Sequence, residues 1–158
     1  SNYAGTLLPG IREYTVTPGE KTTTISGKGK AGLKQEENYY FFYLPVCYKG
    51  ITGKSYAYYN TSRSKNLYLP ASVDENYSYD IQLPENLTLC TPIQEKKIDN
   101  PIGSFKITLT SEGSSLHIEL ALQIKKQLIT PAEYPAFRSL ITEWTDRTRK
   151  PILFKMVQ

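Results

Sequence analysis

Histidine is almost absent from this chain: 158 residues contain one, His117, beside one Trp, one Met and two Cys. General acid–base catalysis by imidazole and metal binding by the common His/Cys ligand sets need such residues in clusters. So poor a supply argues against both, and neither a catalytic residue, a metal nor a cofactor is expected. Cys47 and Cys90 stand far apart, without CxxC or Cys/His spacing, so no zinc or redox motif is present. A lone pair is a poor disulfide framework, and the expectation is two small buried thiols, reduced and apart.

Long apolar runs are missing too. Nothing approaches the ~20 residues that cross a bilayer as a helix, so no membrane span is expected. Ser1-Asn2-Tyr3 has neither an initiator Met nor the n- and h-regions of a signal peptide, as expected of a mature or excised portion of a longer protein. Concentrated charge is lacking as well: 19 basic and 15 acidic residues give a net +4. The densest basic stretches are Lys28, Lys30 and Lys34, and Arg147, Arg149 and Lys150. The second suits the C-terminal end of a helix dipole. Such dilution does not point to nucleic acid, which selects Lys and Arg on one face.

What is present is an ordinary globular composition, 39% hydrophobic and 22% charged, with 13 Tyr and five Phe. The dominant hydrophobic period is two. Tyr77, Tyr79, Ile81 and Leu83 alternate with polar residues, as do Phe105, Ile107 and Leu109, and then Leu116, Ile118, Leu120, Leu122 and Ile124. Successive strand side chains point to opposite faces, so this pattern describes strands buried on one side. The last two runs flank Ser111-Glu112-Gly113-Ser114 and read as a hairpin. Further strands are expected over Arg12 to Thr17, Thr22 to Ser26, Tyr39 to Leu44, Ser55 to Tyr59, Asn66 to Leu69 and Ile152 to Lys155. Strand patterning stops at Leu128. Thr130-Pro131-Ala132-Glu133 has the form of a capping box, and Tyr134, Phe137, Leu140, Ile141 and Trp144 follow at helical spacing. This predicts a helix over about 131–147, with Pro135 delaying its regular start.

Short strands between turn signals, closed by one helix, predict a mainly all-β fold. Its expected form is a two-layer antiparallel β-sandwich, immunoglobulin-like, spanning residues 1–158 as one domain with a subordinate boundary near 60–65. Each half alone would be a marginal core.

From about residue 63 onward the chain resembles the C-terminal β-domain, of unknown function, of bacterial transglutaminase-like envelope proteins. The resemblance rests first on Arg63, Leu67-Tyr68-Leu69-Pro70 and the stretch Asp74 to Glu85. It continues through Pro101-Ile102-Gly103-Ser104-Phe105, the alternating strand to Ile124, Ile129 to Phe137, Trp144 and Ile152-Leu153-Phe154-Lys155. Tyr39 to Pro45 and Gly27 to Gly32 match more loosely. In that family a papain-like transglutaminase domain with a Cys, His and Asp triad lies upstream. Cys47 does not begin a helix, where a thiol pKa is lowered, so no catalytic residue is carried over. The resemblance implies an accessory module outside the cytoplasm, periplasmic or on the cell surface of a bacterium, with an upstream transglutaminase-like domain or another envelope protein as partner.

His117 lies on the polar side of its strand and reads as solvated. Asp74 and Glu75, neighbours on one strand, must face opposite ways, so they cannot form the facing carboxylate pair of a glycosidase with each other. The tyrosines carry more. Tyr39, Tyr40, Phe41, Phe42 and Tyr43 are consecutive and put aromatics on both faces of a strand, and Tyr56, Tyr58 and Tyr59 raise the same issue. Tyr suits a half-solvated strand. An exposed aromatic face also suits docking to a protein, or a glycan if the rings are coplanar. The candidate interaction surface is therefore Tyr39, Tyr40, Tyr43, Tyr56, Tyr58 and Tyr59. The functional expectation is a non-enzymatic interaction domain, with a carbohydrate-binding module as the alternative.

Overall fold

The computed structural model describes residues 11–30, 32–46 and 62–157. Its centre is the expected hairpin, β9 (Gly103–Glu112) and β10 (Ser115–Ile124), two ten-residue strands. Gly113 opens the two-residue connection at φ +58°, a left-handed conformation that costs glycine little. β6 (Val73–Gln82) pairs with β10, and β8 (Gln94–Asn100) with β9, giving an antiparallel sheet of order β6-β10-β9-β8.

A second antiparallel sheet holds β3 (Lys34–Glu36), β4 (Tyr39–Phe42), β12 (Ile152–Met156) and β7 (Leu87–Leu89) in the order β3-β4-β12-β7. Strand β4, from before the expected boundary near 60–65, is thus hydrogen-bonded to the last strand of the chain. β1 (Ile11–Pro18) pairs with β2 (Thr23–Gly29), and β5 (Leu67–Tyr68) with β11 (Leu128–Ile129). None of these sheets closes into a barrel. The expected strand over Ser55 to Tyr59 lies outside the described residues.

The strand lengths explain how the layers stack. At ~3.3 Å per residue a ten-residue strand runs about 33 Å, whereas the five residues of β12 run about 16 Å. The second sheet can therefore cover only one half of the first. It covers Leu109, Leu116, Ile118 and Leu83, which follows β6, with Phe42, Leu44, Ile152 and Phe154. The Phe42 and Phe154 rings stack there, 5.9 Å apart and 3° from parallel. The other half carries Phe105, Ile107, Leu120, Leu122 and Ile124, and the helix α1 (Tyr134–Arg149) covers it with Tyr134, Phe137, Leu140, Ile141 and Trp144. Sixteen helical residues span about 24 Å, enough to cover what the short strands leave. Helix and second sheet so share one side of the first sheet. The opposite side, with Lys106, Thr108, His117 and Glu119, stays in water.

The regular helix begins at Tyr134, three residues later than the start near 131 that the capping signature predicts. The Glu133 carboxylate does reach back, accepting from the Thr130 backbone N–H at 3.0 Å and the Thr130 hydroxyl at 3.1 Å. The Thr130 hydroxyl so bonds this carboxylate and caps no helix N–H, and only half of a capping box forms. Pro135 has no N–H to offer the first turn. At the other end the helix runs two residues past 147 before Pro151 ends it. β8, unforeseen in the sequence, has Ile98 as its one apolar side chain, as an edge strand defended by Lys96 and Lys97 can afford.

Candidate functional site

The second sheet presents its outer side to water, and β4 decides what stands there. Alternation sends Phe42 inward to full burial and Tyr40 into the same core cluster. Tyr39 and Tyr43 point outward, 44% and 48% exposed, and Phe41 shares their side. Tyr40 therefore leaves the expected tyrosine surface and Phe41 takes its place. The registry of the sheet adds neighbours remote in sequence: Leu153 pairs with Phe41, and Lys155 with Tyr39. Lys34 and Glu36 of β3 border the same rings. The result is a patch of Tyr39, Phe41, Tyr43 and exposed Leu153, rimmed by charge.

Phe41 and Tyr43 meet edge to face, with centroids 6.3 Å apart and planes at 88°. Edge-to-face contact is a favoured aromatic geometry, but it presents no common plane to a sugar ring. Tyr56, Tyr58 and Tyr59 lie outside the described residues. Beside the patch, a groove of about 490 Å³ runs over Thr88, Cys90, Lys155, Met156 and Val157. Cys90 is a free, exposed thiol, contrary to the expectation of burial. Its backbone N–H continues the ladder of β7 to the Leu153 carbonyl at 2.8 Å, and alternation places its side chain on the outer side with Thr88. Cys47 lies outside the described residues.

His117 sits on the open side of the first sheet, as its place in the alternating strand predicts. Cross-strand pairing sets it opposite Asp80. Its Nδ1 lies 2.7 Å from Asp80 Oδ1, and its Nε2 3.4 Å from Glu119 Oε1. Hydrogen bonds to Asp80, then to Glu119, raise the imidazole pKa. Glu119, which also meets Lys106 Nζ at 3.4 Å, is held below the usual carboxylate range by His117 and Lys106. A base needs a free lone pair, and both ring nitrogens here already face carboxylates. Asp74 and Glu75 do face opposite sides: Asp74 accepts from the Asn76 amide at 2.8 Å, Glu75 from the Tyr77 hydroxyl at 3.0 Å.

Among the described residues no charged side chain is buried. Nor does any group of three or more His, Cys, Asp or Glu among them suit a metal ion, and no helix among them is long and apolar enough to cross a membrane.

Residues 38–154, from the start of β4 into β12, match the family described as a domain of unknown function with a solved structure, DUF3858. The chain belongs to this family. The DUF3858 match covers both core clusters and the aromatic patch, while β1 to β3 precede it. Among solved structures, the chain is similar to a "putative protease" from Parabacteroides distasonis, with 32% identity and a TM-score of 0.65 over 77% of this chain. The DUF3858 chain spans only 24% of that protein's length. No curated protein matches it.

Signals for parts of this site were present in the sequence. Tyr39, Phe41 and Tyr43 have the i, i+2 spacing that shares a strand face. Leu153 and Cys90 had no local signal, because only sheet pairing brings them there.

Proposed function

We propose that this DUF3858 domain is a non-catalytic accessory domain of a larger extracytoplasmic, transglutaminase-like bacterial protein, and that its aromatic patch mediates contact with another domain or protein. The patch of exposed Tyr39, Tyr43 and Leu153 around half-buried Phe41 carries this reading. Each large apolar side chain left in water forgoes ~1.5 to 3 kcal/mol of burial, which a protein contact would restore. A rim of Lys34, Glu36 and Lys155 around an aromatic centre is the usual anatomy of a protein interface. The short span on a much longer neighbour supports a modular role, and that neighbour's protease designation belongs to its whole chain. Edge-to-face rings do not favour the sugar-binding alternative.

The test is hydrogen exchange on this chain alone and on the product of the full open reading frame that encodes it. Protection of segments 39–43 and 152–156 in the longer protein, lost in a Tyr39→Ser/Tyr43→Ser double variant, is expected. Equal exchange in the two proteins, or peptidase turnover by the chain alone, would refute the reading. A glycosidase in place of a transglutaminase-like domain upstream would turn it toward glycans.

A further inference from the structure

Among the described residues neither Arg63 nor Arg138 has a carboxylate partner. Arg63 and Arg138 line one groove of about 510 Å³ between the first turns of α1 and edge strand β8, together with Ile98, Tyr134, Ser139 and Thr142. The Arg63 guanidinium carbon stands 5.8 Å from the ring centroid of Tyr134. That ring is almost wholly buried, so the guanidinium rests half-buried on a fixed surface. Such stacking suits the planar arginine head and positions its N–H fork. Arg138 follows Tyr134 by one helical turn, which brings the second cation along the same groove.

The one carboxylate that lines this groove is already taken. Glu143, the carboxylate in this groove, is paired with Lys96. No ion pair of Arg63 or Arg138 occurs among the described residues. The groove so keeps two uncompensated positive charges over a floor made apolar by Ile98 and Tyr134.

We propose that this groove binds the carboxylate of an acidic peptide segment, with Arg63 and Arg138 as its ligands. A guanidinium offers two parallel N–H groups that match the two oxygens of a carboxylate. The apolar floor suits the methylene stem of a Glu or Asp side chain, which inorganic phosphate lacks. This site is separate from the aromatic patch and stands whether or not that patch is an interface.

The experiment titrates the 15N-labelled chain with acetyl-Glu-Glu-Glu-amide, with its Gln counterpart, and with sodium phosphate, at fixed ionic strength. Saturable shifts at residues 63, 134 and 138–143 are expected for the Glu peptide alone. Arg63→Gln and Arg138→Gln should each weaken it about tenfold or more, as loss of a charge-assisted hydrogen bond implies. Lys97→Gln removes a charge outside the groove and should change affinity less than about twofold, which separates a built site from general attraction. Arg138 is exposed on the helix surface, so its variant keeps the fold even if Arg63→Gln loosens Tyr134. Equal response to the Glu and Gln peptides, tighter binding of phosphate than of peptide, no saturable shift, or parent-like affinity in Arg138→Gln would each overturn the proposal.

Discussion

Trp144→Ala removes the largest fully buried side chain of the core, at the contact between α1 and the first sheet. Its indole lies 5.9 Å from the Tyr77 ring and is wholly inaccessible to water. A buried aromatic of this kind removes ~150 to 250 Å² from water, worth about 4 to 6 kcal/mol at ~25 cal/mol/Å². Against this stands its own indole N–H, which is buried with no hydrogen-bond partner among the described residues. Truncation frees that orphan donor, whose burial costs ~1 to 3 kcal/mol. The cavity left behind adds to the loss, because the ten-residue strands below cannot collapse onto it. The net expectation is ~3 to 5 kcal/mol, the measured range for removing a core aromatic. For a chain of this size that corresponds to a melting temperature lower by roughly 6 to 20 °C. Thermal unfolding followed by circular dichroism measures the loss. The parent's fluorescence reports the same environment, since Trp144 is the one Trp of the chain. An unchanged melting temperature, together with fully solvated emission in the parent, would show that α1 does not cover the sheet.

His117 should titrate above its ordinary value in the folded chain, and NMR can follow it without ambiguity because it is the one His. Asp80→Asn should lower that pKa more than Glu119→Gln, since the Asp80 hydrogen bond is the larger cause. The sign follows from linkage: a raised folded pKa stabilises fully below about 6.5 and the gain is lost as pH rises through the folded value, so stability should not increase across that range on this account. Glu133, held at about 2 chiefly by Lys126, has the opposite sign. Its contribution is present above the unfolded carboxylate pKa and lost as pH falls toward 2, so parent and Glu133→Gln should converge in stability in acid. Cys90 should be alkylated by iodoacetamide in the folded protein, read by intact mass, and a need for denaturant would contradict its exposure. Gly103→Ala should reach or exceed the ~1 to 3 kcal/mol typical of overpacking, because an added Cβ would stand 1.8 Å from the Gln123 backbone oxygen.

The parts of the fold that could be read from the sequence are those whose burial is one-sided and regular. In β10 every second residue from Leu116 to Ile124 is buried, and a slip of one would put five large aliphatic side chains in water. The helix stripe from Tyr134 to Trp144 is equally constrained, so its face was legible even though its first turn was not. β8 faces the core with little more than Ile98, and β5 and β11 are two residues each, too short for any period to show. Their formation depends on partners that the neighbouring sequence does not reveal.

Function adds a second obstacle. Residue types that dock a partner are the same ones that fill a core, so a run such as Tyr39 to Tyr43 reads identically for either use. Alternation divides that run into two sets, but only the sheet says which set faces inward. β12 makes the choice: Phe154 opposite Tyr40 and Ile152 opposite Phe42 take one side into the core, and the Tyr39, Phe41 and Tyr43 side is left in water with Leu153. A contact between residue 41 and residue 153 has no local signature, and the same is true of Arg63 on Tyr134. Both surfaces exist because distant segments meet. A substitution that shifts β12 by one residue would therefore turn Leu153 out of the patch and set Ile152 and Phe154 on the outer side, while leaving every residue of β4 unchanged.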